Sequence, residues 1–341
     1  MEAISVNRRY VTLRYHLSFG AACLLAACTS NAQISSLPNG AASPPQSSRP
    51  LAKRLTYAGC PLFTDNTYTG NISQAAVDPN SASYINSVIQ AGDTGGFFAS
   101  TGVELANLAT GQTPLRVVHP LVKYHTFPKQ YPWATNFYIE PLSDKHAMVV
   151  QTSTCHLFEA YGTEFQNPTL SAYSGANWSL KRHFVPLAPG NPSAMASGLP
   201  LFAGMVQWAD YQSGSINHAL SWDAQAGTVA EYLFVRPASD TDHLPFKGGS
   251  SYQMPYGAHL RLKASFSTQG WGPEATMVAN AMKTYGVYLA DTDSSANYLY
   301  FGNASDGSNP WNGHDLSSLS HITMSDFDVL KLPQILSVPG H

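Results

Sequence analysis

The stretch that decides the fold class is residues 146–161, which read HAMVVQTSTCHLFEAY. Two runs rich in apolar residues, His146–Gln151 and Cys155–Tyr161, flank the short polar pair Thr152 and Ser153. Two such runs around a short turn predict an antiparallel hairpin.

The chain after residue 54 continues in the same way, as short apolar runs broken by Gly, Pro, Asn and Asp. Five further runs are predicted strands: Ser215–Trp222, Val229–Val235, His259–Phe266, Val287–Ala290 and Tyr298–Phe301. Three segments have helical spacing or helix-boundary residues: Ser81–Gln90, Glu274–Tyr285 and, for one turn, Ser325–Leu330. Many strands and few helices predict a mainly β fold, a β-sandwich or jelly-roll-like domain with one or two short helices packed on it.

The predicted hairpin also brings two titratable side chains together. If Thr152 and Ser153 form the whole loop, His146 opposes Glu159 on one face, with Cβ atoms about 5 Å apart. The carboxylate would orient the imidazole and raise its basicity, as a general base or a metal-ligating histidine requires. A plain ion pair at the rim of the core explains the same pattern.

The first residues predict export and lipid attachment. Three arginines precede a run of roughly ten apolar residues, which is typical of a signal peptide and shorter than the about 20 residues of a membrane span. Leu25-Ala-Ala-Cys28 resembles a bacterial lipobox, in which the Cys28 thiol is acylated. We therefore expect a signal peptide over 1–27 and a protein held in the cell envelope, outside the cytoplasm, by a membrane lipid on Cys28.

The segment 28–54 is rich in Ser, Pro, Ala, Asn and Gln and predicts a flexible linker. The segment 55–341 then forms a single β-rich domain.

The charge and composition of the chain indicate which classes of molecule it is expected to bind. The formal net charge is −3, and residues 1–27 remove three Arg and one Glu, so the remainder is more acidic still. Nucleic-acid binding calls for clustered Lys and Arg, so it is not expected. Charged residues make up only 11 % of the chain, against about a quarter in typical domains. Such surfaces are frequent in extracellular proteins that handle polysaccharides and in secreted β-proteins without a ligand.

The cysteines predict a disulfide. Cys23 would leave with the signal peptide and Cys28 would carry the lipid, so Cys60 and Cys155 remain. A pair of thiols in an oxidising compartment predicts a bridge; two separate buried thiols are the alternative.

Several further residues are candidates for substrate contact. His218 shares a strand face with Ile216 and Leu220, which fits either a satisfied core histidine or a site residue. Arg261 and Lys263 point the same way along one strand and could hold an acidic sugar or line a solvated face. Trp271 and Trp311 lie in Gly-rich loops, where a ring can be exposed for a sugar to stack on.

The cofactor motifs are weak or missing. Asp291-Thr-Asp293-Ser-Ser295 begins like a calcium loop, but Ala296 stands where the loop needs Gly and Gly302 where it needs Glu. A looser calcium site would draw on Asp306, Asn309 or Asp315. No HExxH, paired CxxC, G-x-S-x-G, P-loop or Rossmann fingerprint occurs. No resident metal or cofactor is therefore predicted, with calcium as the alternative.

The sequence resembles an uncharacterised family of secreted, β-rich bacterial proteins over most of the segment 55–341. The resemblance is carried by Cys60–Phe63, Val77–Ile85, Ser143–His146, Cys155–Glu159, Gly214–Leu220, Arg261–Ser265, Lys283–Asp291 and Ser325–Asp328. An acidic residue often precedes the Ile-Asn-His segment in that family, where Ser215 stands here. The resemblance implies no reaction, but it implies a site or a polar core network built from Asp144, His146, Glu159, His218 and Asp291.

Two functions follow as hypotheses. The first is a carbohydrate-active enzyme, a glycoside hydrolase or polysaccharide lyase, with His146 as base, Glu159 as orienting group or acid, and His218, Arg261 and Lys263 on the substrate. Glu159 and Asp291 could instead form a glycosidase carboxylate pair. The alternative is a non-catalytic surface protein that binds glycan or another envelope component.

Overall fold

The computed structural model describes residues 56–93, 95–122 and 128–340. The expected signal peptide, the acylated Cys28 and the linker lie outside the described residues, so these three stay predictions. No helix in the described ranges is both long and apolar enough to traverse a bilayer.

The secondary structure is mostly strand. The five α-helices are α1 (Ser81–Gln90), α2 (Leu201–Gly204), α3 (Trp208–Ser213), α4 (Pro273–Thr284) and α5 (Gly313–Leu316), with 3₁₀ turns over Ser317–His321 and Met324–Asp326. The strands are β1 (Phe97–Glu104), β2 (Ala106–Ala109), β3 (Leu115–Pro120), β4 (Gln130–Pro132), β5 (Ala147–Gln151), β6 (His156–Tyr161), β7 (Glu164–Gln166), β8 (Thr169–Ala172), β9 (Ser174–Ser179), β10 (Leu220–Gln225), β11 (Leu233–Val235), β12 (His259–Leu262), β13 (Val287–Asp293), β14 (Asn297–Gly302), β15 (Phe327–Val329) and β16 (Ile335–Ser337).

The strands form several sheets. A six-stranded mixed sheet has the order β1-β14-β10-β13-β12-β15, in which β1 runs parallel to β14 and β10 parallel to β13. Two four-stranded sheets have the orders β2-β5-β6-β9 and β4-β3-β8-β7, and β11 pairs with β16. The predicted mainly β class with a few short helices is confirmed.

Strand β5 is buried on both faces because its side chains alternate between two apolar clusters. Met148 and Val150 of β5 lie in the larger cluster, together with residues of β10, β13 and β14. Ala147 and Val149 point the other way, into a smaller cluster with Tyr131 of β4. This alternation follows from the two-residue period of a strand, and it leaves no solvated face on β5.

The hairpin at residues 146–161 is confirmed, but its predicted register is wrong by two residues. Val150 opposes Leu157 and Met148 opposes Glu159, so Glu159 is not the direct partner of His146. The loop contains four residues, 152–155, because Cys155 adopts a left-handed φ of 55° and donates its N–H to the Gln151 carbonyl at 2.8 Å.

The two longer predicted helices are confirmed to within one residue at α1 and α4. The predicted helical turn Ser325–Leu330 is wrong, because Phe327 and Val329 pair with β12 and form β15. Only Met324–Asp326 makes a short 3₁₀ turn.

The predicted disulfide is present between Cys60 and Cys155, whose Cα atoms are 5.4 Å apart. It joins the N-terminal segment of the described chain to the hairpin loop. Its second cysteine, Cys155, is the left-handed residue that extends this loop to four residues.

Candidate functional site

Polar side chains occur on four consecutive strands of the six-stranded sheet. Glu104 ends β1, Tyr300 lies on β14, Asp223 on β10 and Asp291 on β13, in the same order as the strands. The first three are buried and Asp291 is partly exposed. A buried row of acidic groups is costly unless they are protonated, paired or bound to a cation, so this row is the starting point for a site.

The Glu104 end of the row meets His146. Nδ1 of His146 is 2.9 Å from Oε1 of Glu104 and 3.3 Å from Oε2 of Glu140, and all three side chains are buried. The backbone N–H of His146 also donates to Oε2 of Glu140 at 3.0 Å. One ligand atom from each of the three residues lies within 4.8 Å of the others.

The His146 imidazole is held in its charged form. Burial by itself lowers the pKa of His146, but the charge and hydrogen bond of Glu104, with the charge of Glu140, outweigh it and raise the pKa to about 10. For Glu140 burial is the stronger effect, and it raises the pKa more than the charge of His146 lowers it.

At the other end of the row, Asp223 and Asp291 face each other in register on the parallel strands β10 and β13. The Tyr300 hydroxyl donates to Oδ2 of Asp223, whereas Oδ1 has no hydrogen-bond partner among the described residues. Asp291 accepts N–H bonds from Ala196 at 2.7 Å and from Thr292 at 2.8 Å.

The pKa values of Asp223 and Asp291 are both raised. Burial, followed by the charge of Asp291, raises the pKa of Asp223 well above its usual range. Burial also raises the pKa of Asp291 to about 7, although its N–H bond from Ala196 acts in the opposite direction. The pair therefore holds a proton near neutral pH, which is the property that general acids need.

Tyr300 joins the two ends of the row. Its ring centroid is 6.2 Å from that of His146 in an edge-to-face contact, and its hydroxyl reaches Asp223. The positive charge of His146 lowers the pKa of both Asp223 and Asp291, although burial dominates. His146 and Asp291, two of the predicted catalytic residues, thus belong to one electrostatic network.

Glu159 lies in a different polar contact from the one predicted. Its two carboxylate oxygens accept N–H bonds from Leu201 at 2.9 Å and from Phe202 at 2.7 Å, at the start of α2. Burial raises its pKa to about 8. The predicted side-by-side pair of His146 and Glu159 is therefore wrong, because Glu104 and Glu140 are the carboxylates at the His146 ring.

His218 lies in a separate buried group. Its Nε2 is 3.3 Å from Oδ2 of Asp210 and its Nδ1 is 2.8 Å from the Ala219 carbonyl. The hydroxyl of Tyr57 donates to the same aspartate at 2.6 Å. Both ring nitrogens therefore have acceptors within the protein, which matches the satisfied core histidine.

The two cations predicted to contact substrate bind backbone carbonyls. Nη1 of Arg261 lies 3.0 Å from the carbonyl oxygens of Ile72, Ser73 and Ala75, and Nη2 pairs with Asp328. Lys263 donates to the Ser325 carbonyl at 2.7 Å. These contacts fix two loops against β12 and lend no support to substrate binding.

The predicted exposure of Trp311 is wrong. Its ring is buried against Phe301 and Trp208, and its indole N–H donates to the Gly302 carbonyl at 2.9 Å. Trp271 is half-buried against Phe266 and His321. The sequence reasoning missed a partly exposed stacked pair, Trp208 and Tyr211, which the i, i+3 spacing on α3 could have indicated.

The carboxylates of the candidate calcium residues accept hydrogen bonds from protein groups. Asp293 accepts from Ser295, Asp306 accepts from Ser308, and Asp315 accepts the N–H groups of Glu274 and Ala275 at the start of α4. In the described ranges none of them belongs to a group of three metal-ligating side chains.

Two surface grooves lie away from the row. One, of about 300 Å³, is lined by residues that include Arg236, His259 and Lys331. The other, of about 330 Å³, is lined by residues that include His156, Trp178 and Arg182. None of the four residues of the acidic row lines either groove. Asp291 is the most exposed member of the row.

Glu104, Glu140, Asp223 and Tyr300 were missed by sequence reasoning. Glu104 and Glu140 are 42 and 6 residues from His146, and no motif links them. Asp223 did carry a signal, because Ser221 and Asp223 alternate with apolar residues along β10 and so mark a polar strand face.

The chain was compared with protein-family models, with curated proteins and with solved structures, and none of them matches it. The resemblance to a secreted bacterial family therefore remains an expectation from the sequence.

Proposed function

We propose that this chain hydrolyses glycans, with Asp223 and Asp291 as its acid and nucleophile. The observation that carries the proposal is that two buried or half-buried carboxyl groups face each other in register and both have raised pKa values. Most glycosidases use two catalytic carboxyl groups that lie in different environments.

The two environments support different roles. Asp223 is the more buried, and its buried Oδ1 has no hydrogen-bond partner among the described residues, so a proton on that oxygen is not shared with another group there. Asp291 accepts two backbone N–H bonds, which stabilise its negative charge, and it is the more exposed. We assign Asp223 as the general acid and Asp291 as the nucleophile.

The strand spacing favours a retaining reaction. Asp223 and Asp291 are register partners, and the backbones of adjacent strands are about 4.8 Å apart. Side chains that leave this pair in the same direction can bring their carboxyl groups to the roughly 5 Å of retaining enzymes, which is shorter than the about 6.5–9.5 Å of inverting ones. Asp291 would bond to the anomeric carbon as the glycosidic bond breaks, while the proton of Asp223 goes to the leaving oxygen. Water would then attack that carbon, give its proton to Asp223 and release Asp291.

The charge of the row argues for neutral glycans. A uronic-acid substrate would bring a further negative charge beside Glu104, Asp223 and Asp291, and the positive charge of His146 is already paired with Glu104 and Glu140. The two cations predicted to contact substrate, Arg261 and Lys263, bind backbone carbonyls elsewhere. This disfavours a polysaccharide lyase, which has to stabilise an anionic substrate.

The β-sandwich expected from the sequence is part of the proposal. In its support, Met148, Val150 and Leu157 of one sheet share an apolar cluster with Tyr288 and Tyr300 of the six-stranded sheet. We also propose that the protein acts in the cell envelope, bound to the membrane through a lipid on Cys28. A Cys28→Ser variant should then move from the membrane fraction to the soluble fraction.

The test is hydrolysis of a panel of neutral and uronate-containing polysaccharides by the full-length chain. We expect new reducing ends from a neutral polysaccharide and a product that keeps the anomeric configuration. Asp223→Asn and Asp291→Asn should each lower turnover by about 10²–10⁴-fold without changing the near-UV circular dichroism. Asp306→Asn is the control, because Asp306 is exposed and bonds only within its own loop.

Other outcomes separate the alternatives. Unsaturated products from a uronate polysaccharide would identify a lyase and overturn the proposal. Binding of a glycan without any turnover, unchanged in both aspartate variants, would identify the non-catalytic surface protein, which the partly exposed Trp208–Tyr211 stack favours.

A further inference from the structure

We propose that Glu104, Glu140 and His146 form a binding site for a divalent transition-metal ion, for which Mn²⁺ is the test ion. The inference goes beyond the proposed hydrolysis, since it does not involve the Asp223–Asp291 pair. It rests on the convergence of three donor atoms, on hydrogen-bond stoichiometry and on charge.

Two of the three distances between the donor atoms match ligands around one ion, and all three atoms lie within 4.8 Å of one another. Nδ1 of His146 is 2.9 Å from Oε1 of Glu104 and 3.3 Å from Oε2 of Glu140. Donors about 2.1 Å from a metal, at angles of 90–109°, are about 3.0–3.4 Å apart. The three residues come from the end of β1, from the loop before β5 and from the residue that precedes β5, so the fold brings the site together.

The single hydrogen on Nδ1 of His146 cannot be donated fully to both carboxylates. Nδ1 carries at most one hydrogen, and two carboxylate oxygens approach it. If Glu104 takes that hydrogen, Glu140 keeps only its bond from the His146 backbone N–H. A cation in the centre would satisfy both carboxylates and the ring nitrogen together.

The charge balance points the same way. Two buried carboxylates face one imidazole, and no Lys or Arg among the described residues forms an ion pair with either of them. Lys145, the neighbour of His146 in sequence, pairs with the exposed Glu164 at 3.0 Å. Buried charge of this kind is stabilised by pairing or by metal coordination.

A further amide oxygen belongs to Asn303, a residue that contacts Glu104 through the backbone. Asn303 is 8 % exposed, and its side-chain amide oxygen has no hydrogen-bond partner in the described ranges. Its backbone N–H donates to the backbone carbonyl of Glu104 at 2.7 Å. Carboxylate and amide oxygens with one imidazole suit Mn²⁺ or Zn²⁺. Ca²⁺ takes six to eight oxygen ligands and is the poorer fit.

The test is titration of the chelator-stripped full-length chain with MnCl₂, followed by loss of the electron paramagnetic resonance signal of free Mn²⁺. We expect one ion per chain, displaced by ZnCl₂ and not by CaCl₂, and a rise in melting temperature on binding. Glu140→Gln and Glu104→Gln keep the side-chain shape and should weaken binding about 100-fold or more. Glu164→Gln, which removes a nearby exposed carboxylate, should bind as the wild type does.

The Asp291→Asn variant separates this inference from the proposed hydrolysis, because it should lose turnover and still bind Mn²⁺. A folded wild-type chain that binds no Mn²⁺ or Zn²⁺ at about 1 mM would overturn the metal site. Binding that is unchanged in both glutamine variants would overturn it as well, since the ion would then lie elsewhere.

Discussion

The Glu159 carboxylate accepts the backbone N–H of Phe202 at 2.7 Å and that of Leu201 at 2.9 Å. Because Glu159 pairs with Met148 in the hairpin, it lies two residues away from the position across from His146. Glu159 therefore connects strand β6 of the hairpin to the start of α2 through these two hydrogen bonds.

Replacing Glu159 should test that connection. Glu159→Ala would leave two buried N–H groups without this acceptor, at a cost of about 1–3 kcal/mol each. We expect the free energy of unfolding to fall by about 2–5 kcal/mol in urea denaturation. Glu164→Ala, on the exposed strand β7, should change it by less than about 0.5 kcal/mol. Equal effects of the two substitutions would show that Glu159 does not stabilise the connection between the hairpin and α2.

The charge on His146 should make stability depend on pH. Its pKa in the folded chain is about 10, against an ordinary value of 6.5. A group whose folded pKa is raised stabilises the fold fully below its unfolded pKa and loses that contribution as the pH rises through the folded pKa. We therefore expect the stabilisation from His146 to be present below pH 6.5 and to be lost between 6.5 and about 10.

The measurement is the free energy of unfolding of wild type and His146→Gln across that interval, with chelator present. The difference between the two should shrink by up to about 1.4 kcal/mol per pH unit. A constant difference over the whole interval would show that His146 is neutral in the folded chain.

Gly96 should tolerate no side chain. A Cβ built there would lie 1.9 Å from the Ser320 carbonyl oxygen, and backbone cannot move aside as a flexible side chain can. Gly96→Ala should therefore cost about 1–3 kcal/mol of unfolding free energy. Gly95→Ala is the matched control, because its Cβ would meet no atom within 4 Å, and we expect a change within about 0.5 kcal/mol. Thermal melts of the two variants test this prediction. A larger fall in melting temperature for Gly95→Ala than for Gly96→Ala would contradict it.

Loss of the disulfide should destabilise the whole domain. The bond closes a loop of 95 residues, which the chain-entropy model values at about 4–5 kcal/mol. We expect a Cys60→Ser, Cys155→Ser double variant to unfold at a correspondingly lower urea concentration. Dithiothreitol should lower the stability of the wild type and leave the double variant unchanged. A wild type that is insensitive to reduction would show that the bond adds little.

The sequence predicted the features that depend on local pattern. Alternating apolar residues identified the hairpin strands, and helical spacing with flanking Pro273 and Gly286 located α4 to within one residue. The disulfide followed from counting cysteines once Cys23 and Cys28 had been assigned elsewhere. Each of these inferences uses neighbours in sequence or a small set of combinations.

Tertiary structure alone decided the register and the site. The hairpin register depends on a loop of four residues that contains the disulfide-bonded Cys155, and nothing in the local sequence sets that length. The partners of His146 are 42 and 6 residues away, and Asp223 meets Asp291 across a parallel strand pair. Parallel partners are joined through long crossovers, so their contact depends on how the whole sheet is assembled and cannot be inferred from spacing along the chain.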